Sequence, residues 1–280
     1  MIDFKDLDNS SSEDKKKPPQ SNVSFSEAAA GHEKKLFDKS AEDKIGTALY
    51  GKACGYLGKV FSAVGKDAGF SLEPGFQLVR SMVDNQSSSA ALFIAALHRD
   101  DPDNFIINHC VNTTVFAIKM GVNLGFSHER QVEIGLAALL HDVGKLILGS
   151  FVKKELAQIE AMVTKGIAFD VAESIVLGTN HAEVGGQILH KWSFPAELVN
   201  AVQWHHDPES CENTCILSDI VHVANKVGLM TGFGKVEGEI DIEPFGPVVD
   251  RLGLKTNHLK AMAQQTLQEL EKLSDLWDMP

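Results

Sequence analysis

The stretch LAALLHDVGKLIL, residues 136–148, decides how the rest of the chain is read. Five apolar residues, Leu136 to Leu140, run straight into His141 and Asp142; Lys145 follows three positions on, and then the apolar run resumes. Ser127 upstream is a good N-cap, and Glu129 falls in the first turn, where an acidic side chain suits the helix dipole. The pattern predicts one helix from there to about Leu148, with the His-Asp pair late in it.

Outward from this stretch the chain reads as helix after helix. Ile106 to Leu124 is one, with His109 early in it, in INHCVN. Asp170 followed by Glu173 resembles a capping box opening a helix to Leu177. His181 opens the next in TNHAEVGG, running to Trp192. Pro195, suited to a first helical turn, begins one that closes on His205-His206 in VQWHHDP, and Cys215 to Met230 follows. Beyond a Gly/Pro-rich stretch from Gly232 to Gly246, Asn257 to Trp277 reads as a closing helix. Upstream, Glu42 to about His98 has a helical pattern broken near Gly65, Gly69 and Gly75, with a stripe at Phe76, Leu78, Val79 and Met82. Only Val236 to Ile242 alternates as a strand would. The fold class expected is all-α: a polar, disordered tail over 1–35, a small helical lead-in over 36–98 and a metal-binding helical domain over 99–280.

Composition narrows the function classes. The chain has 280 residues, enough for a sizeable core, and 44% of them are hydrophobic. The start, MIDFKDLDNSSSEDKKKPPQ, is polar and lacks a secretory pattern, and no uninterrupted apolar run reaches bilayer length. A cytoplasmic protein without a membrane partner is expected. The net charge of −12 argues against binding a nucleic acid polymer, which needs a basic surface; Lys15-Lys16-Lys17 sits among acids and reads as a solvated cluster. The four cysteines show no disulfide spacing, and Cys211 and Cys215 read as unrelated thiols.

His109, His141 with Asp142, His181, and His205 with His206 form four groups, each on or at the end of a helix. Neutral imidazole and carboxylate are the usual ligands of zinc, iron and manganese, so the four groups could converge on one or two divalent ions. The order H…HD…H…HH on consecutive helices is far more specific than any member alone.

That order, with LAALLHDVGKLIL and the segment LHRDDPDNFIINHCVNTTVFAIKMG, resembles the HD superfamily of metal-dependent phosphohydrolases, between its HD-GYP and HDOD branches. The resemblance covers about residues 75–255 and implies an HD-domain helical bundle. It implies that His109 and His141 hold one metal, that His181, His205 and His206 hold another, and that Asp142 bridges them. It further implies that Asp142 and Lys145 are catalytic, Lys145 by neutralising charge on a phosphoryl group.

The sequence departs from the catalytic pattern in three places. Asn225 stands where a final aspartate is expected, Phe105 stands where trinuclear members carry a glutamate, and DPESCENT follows the HH pair in place of a GYP loop. HAEVGGQILHKWSFPAELVNAVQWHH is closer to HDOD proteins, which are regarded mainly as signalling or interaction modules, although the usual HDOD upstream motif is not found in 40–98. His222, on one face with Asp219 and Asn225, reads as a core or surface histidine rather than a substitute ligand. Gly185-Gly186 reads as a site of close helix packing rather than a phosphate cradle. The leading reading is a phosphohydrolase or phosphodiesterase in signalling, acting on a nucleotide-like phosphoester such as a cyclic dinucleotide. The second is a non-catalytic HDOD-like module that keeps a metal and binds a signalling protein. A homodimer is compatible with either.

Overall fold

The computed structural model describes residues 39–63, 70–89, 92, 105–152, 154–212, 215–230 and 246–254, and among them every regular element is a helix. In chain order these are α1 (Lys39–Ala63), α2 (Glu73–Asp84), α3 (Phe105–Asn123), α4 (His128–Leu140), α5 (Val143–Phe151), α6 (Leu156–Val163), α7 (Phe169–Leu177), α8 (His181–Lys191), α9 (Ala196–Gln203), α10 (Ile216–Met230) and α11 (Gly246–Arg251). Short 3-10 turns occur at Gln86–Ser88 and Pro208–Ser210. The all-α expectation holds. The tail over 1–35, the alternating Val236 to Ile242 and the closing helix from Asn257 to Trp277 lie outside the described residues.

The centre of the fold is α3, buried from Asn108 to Ile118 and packed between α4, α10 and α1. Among the described residues it alone is long and apolar enough to cross a membrane, and 72% of its most apolar window is buried inside the fold, as in a core helix. α4 buries everything from Ile134 to Leu140 and also carries α2, whose Leu78, Val79 and Met82 fill the same core. The lead-in is keyed to α3 by a buried hydrogen bond from the Tyr50 hydroxyl to Asn108 Oδ1 (2.5 Å). Gly75 lies in the first turn of α2 and does not break the helix there; a Cβ would come within 2.4 Å of the Tyr56 hydroxyl.

Several boundaries differ from expectation for physical reasons. Ser127 caps α4 as expected, its hydroxyl accepting from Arg130 N. α4 nevertheless stops at Leu140, and α5 sets off at Val143 in a new direction, because Asp142 leaves helical geometry (φ −98°, ψ 14°). Apolar residues flank the break on both sides, so periodicity runs through it unmarked. The His-Asp pair therefore sits in a corner between two helices. Likewise α9 ends at Gln203, which places His205-His206 in the turn beyond it. The capping box expected at Asp170 and Glu173 does not form: Ala168 is the N-cap, with no side-chain cap, and Glu173 turns inward. Gly185 and Gly186 do serve close packing, since Cβ atoms there would meet Val202 at 2.9 Å and Gln203 at 2.8 Å on α9.

Candidate metal centre

Among the described glycines, the one most closely hemmed in meets backbone rather than side chain. A Cβ on Gly144 would fall 1.8 Å from the His181 carbonyl oxygen and 3.0 Å from Gly185 N, so the start of α5 lies directly against the start of α8. No side chain fits between them. Asp142 and His181 are carried at the two ends of this contact.

Around Asp142 the chain gathers all five histidines named from the sequence. His109 comes from α3, His141 from the α4–α5 corner, His181 from the first position of α8, and His205 and His206 from the turn after α9. Each oxygen of the Asp142 carboxylate faces its own set. Oδ1 lies 3.3 Å from His181 Nε2 and 3.7 Å from His205 Nε2. Oδ2 lies 3.6 Å from His109 Nε2 and 3.5 Å from His141 Nε2. His206 Nε2 meets His181 Nε2 at 2.8 Å, and His109 Nε2 meets His141 Nε2 at 3.2 Å. Two groups of ligand-type atoms result, each within 4.8 Å of one another: Asp142, His181, His205, His206, and His109, His141, Asp142. Such a buried His/Asp cluster can hold a metal ion.

The ring orientations are fixed from behind. His141 Nδ1 donates to the Ala138 carbonyl and His205 Nδ1 to the Val202 carbonyl, both at 2.7 Å. The remaining Nε2 of each is then the lone-pair nitrogen, turned toward Asp142. Burial lowers the histidine pKa values: His141 to about 3, His206 to about 2, His205 well below the usual range, and His109 in the same direction. Neighbouring imidazoles add to the effect. These rings are therefore neutral at pH 7, the form that binds metals. Burial opposes ionisation of Asp142, but His141, Lys145, His181 and His109 outweigh it and hold the carboxyl well below its ordinary value. The chemistry of the set thus fits a divalent ion, and two atoms say so directly: Asp142 Oδ1 and His205 Nε2 are buried without a hydrogen-bond partner. Buried polar atoms are seldom left so.

Lys145 reaches back from α5 to Asp142 Oδ2 at 2.8 Å, its amine 5.5 Å from the Phe169 ring centre. It remains about a quarter exposed, and with His206 it forms the wetter edge of an otherwise closed cluster. Asn225 does face the centre. It is buried on α10, in polar contact with the His109 ring, and its Oδ1 has no hydrogen-bond partner. Phe105 is half exposed at the start of α3. His222 is not a ligand: its Nδ1 donates to the His205 carbonyl at 2.7 Å and steadies the HH turn. Asp219 is gripped by Arg251 at 2.7 and 3.0 Å. The residue that sequence reasoning missed is Glu173, which is buried and accepts from both His181 N (3.0 Å) and the His181 ring Nδ1. Its only sequence signal is an acid on a helix beside the TNH corner, and the capping pattern with Asp170 masks that signal.

Residues 75–208 match the HDOD domain family. The match begins at 75 and takes in α2 from its third residue, within the segment that lacks the usual upstream HDOD motif. An uncharacterized protein of Treponema pallidum (strain Nichols) is 25% identical over 128 residues, 45% of this chain. The match spans a quarter (25%) of that relative's length. Among solved structures, an HDOD domain protein with unknown function from Geobacter sulfurreducens superimposes with a TM-score of 0.50 at 19% identity, covering 91% of this chain and 88% of that one. A Marinobacter aquaeolei VT8 protein, named provisionally for signal transduction, gives 0.51 at 16% identity over 82% of this chain and 51% of that one. Both likenesses bear on the fold. Over residues 75–208, just under half of its length, the chain is thus similar to HDOD domains, and its helical fold is that of an HD-superfamily-related domain.

Proposed function

We propose that this protein is a metal-binding signalling module of HDOD type, its centre holding one ion firmly and a second weakly. The observation that carries this reading is the asymmetry across Asp142. On the Oδ1 side, Asp142, His181, His205 and His206 supply four ligand atoms, with two of them, Asp142 Oδ1 and His205 Nε2, otherwise unpartnered. On the Oδ2 side, among the described residues, only His109 and His141 join Asp142, Lys145 already occupies Oδ2, and Asn225 offers an uncharged amide where a carboxylate would complete the set. Imidazole with carboxylate suits iron, manganese or zinc. The recognition surface is then for a signalling protein, without membrane or nucleic acid polymer as partner, in the cytoplasm.

Elemental analysis of protein purified from metal-supplemented growth tests this. About one equivalent of transition metal per chain is expected, and less than about half an equivalent sinks the reading.

A second reading, a phosphohydrolase acting on a small nucleotide-like phosphoester, is favoured by one observation: the Lys145 amine stands at the exposed edge of the cluster beside Asp142. A bound divalent ion would supply Lewis acidity and acidify a water. The chain's own part would be to orient the phosphoryl group with Lys145 and to keep Asp142 ionised. Assays of cyclic dinucleotides, cyclic mononucleotides and a generic phosphodiester with manganese or iron decide between the two. Enzyme activity should vanish in Asp142→Ala and fall about a hundredfold in Lys145→Ala. Silence of the wild type against all three leaves the binding module.

A further inference from the structure

The ligand histidines are not all steadied by the same means, and the difference singles out Glu173. His141 and His205 follow the C-terminal ends of α4 and α9, where the last carbonyls of a helix have no partner within the helix, and each ring takes one of them, Ala138 O and Val202 O. His181 sits at the opposite kind of place. It opens α8, where free N–H groups abound and no carbonyl is left over. Its ring Nδ1 needs an acceptor from another element, and so does its backbone N–H. One oxygen of Glu173, from α7, accepts from both. Glu173 is itself buried at 3% exposure, and its negative charge lies at the N-terminus of α8, where the helix dipole favours it.

We propose that Glu173 is the positioning residue of the centre: it holds the proton of His181 on Nδ1 and so turns the Nε2 lone pair toward Asp142 Oδ1 and His206. The proposal rests on the metal-centre reading for its purpose, though not for its test. With His181 Nε2 unprotonated, the 2.8 Å contact with His206 Nε2 requires that His206 be the donor in the metal-free protein. By the same argument, the 3.2 Å contact requires His109 to donate to His141. Together with the Ala138 and Val202 carbonyls, Glu173 thereby gives the cluster a distinct protonation pattern: Nδ1–H on His141, His181 and His205, and Nε2–H on His109 and His206.

The test uses the full metal-free chain with 15N-labelled histidine and long-range 1H–15N correlation, which reads the tautomer of each ring. Wild-type His181 is expected as Nδ1–H. In Glu173→Ala it should move to Nε2–H or a mixture, and cobalt(II) affinity, read from visible absorption, should fall about 10- to 100-fold. Glu173→Gln keeps a carbonyl oxygen in place and should keep the tautomer, with a loss of only a few fold in affinity. A merely structural Glu173 would change the thermal midpoint and leave the tautomer alone. A wild-type His181 found as Nε2–H, or a tautomer unmoved in Glu173→Ala, overturns the proposal. Should Glu173→Ala fail to fold, the wild-type and Glu173→Gln spectra still decide it. If the wild type binds no cobalt while His181 is Nδ1–H, the metal reading fails and the positioning role stands.

Discussion

Asn225 is a single amide placed where one negative charge would change the centre. It is buried beside His109, and its oxygen bonds nothing. Asn225→Asp should therefore tighten the weaker metal equivalent about tenfold or more, seen as a sharper second phase when metal is titrated into stripped protein. The metal-free variant should lose stability, because a carboxylate replaces a neutral amide at a buried position. An unaltered second phase would show that position 225 does not reach the ion. Gly144 gives a different test at the same scale. Gly144→Ala would drive a methyl group into the His181 carbonyl, and since both partners are backbone, α5 and α8 must separate. A loss of about 3 kcal/mol or more in urea unfolding is expected. Gly149→Ala, on the same helix with open space around it, should instead be neutral or stabilise by up to about 1 kcal/mol. Equal effects of the two would mean that the close approach at Gly144 is not a constraint.

Elements explain what could and could not be read in advance. The five histidines and Asp142 were legible because their residue types recur on or at the ends of helices in a distinctive order, and all six converge. The break at His141-Asp142 was not, since the apolar register continues from Leu140 into Val143, and the close seating of Gly144 on His181 involves residues some forty positions apart. Glu173 was misassigned because Asp170 lies three residues before it, and local spacing could not show that a carboxylate on α7 answers a ring on α8. His222 escaped a role for a related reason, its partner being a backbone carbonyl seventeen residues away. One element pair also carries a prediction. α11 is fastened to α10 by the fork of Arg251 on Asp219, whose carboxylate is almost fully buried. Arg251→Ala leaves that charge uncompensated and should cost about 3 kcal/mol, while pairing Arg251→Met with Asp219→Leu should restore most of it. Thermal unfolding of the three proteins would show this, and a double variant no better than the single would count against it. The Arg130–Glu197 fork is half exposed on its Glu197 side and should matter by less than about 1 kcal/mol.

At the scale of the whole molecule, the buried histidines make stability depend on acid. In the unfolded chain a histidine titrates near 6.5. In the fold, His222 is lowered to about 4 and His141 to about 3, mainly by burial. Below about pH 6.5 the unfolded chain therefore takes up protons that the folded chain refuses, so stability falls as pH drops, from about 6.5 down through 4 and 3. Asp142 adds to this at still lower pH, because its contribution is present above the ordinary carboxylate range and lost as pH falls through its depressed value. Metal-free protein should show an acid-induced drop in thermal midpoint beginning near pH 6.5. Saturating metal at neutral pH should raise the midpoint, with about 2.7 kcal/mol of added stability at a hundredfold excess over Kd. A midpoint flat between pH 7 and 5 would contradict the neutral, buried state of these rings.

The backbone contact between Gly144 and His181 bears on what the centre tolerates. Because α5 and α8 are seated on each other without any side chain between them, the spacing of Asp142 and His181 does not depend on an ion or on the other ligands. Replacing one of the other ligands, such as His109 or His206, should therefore leave the shape of the site in place. The shape of the site is thus fixed by main chain, and the side chains that line it are what remains open to change.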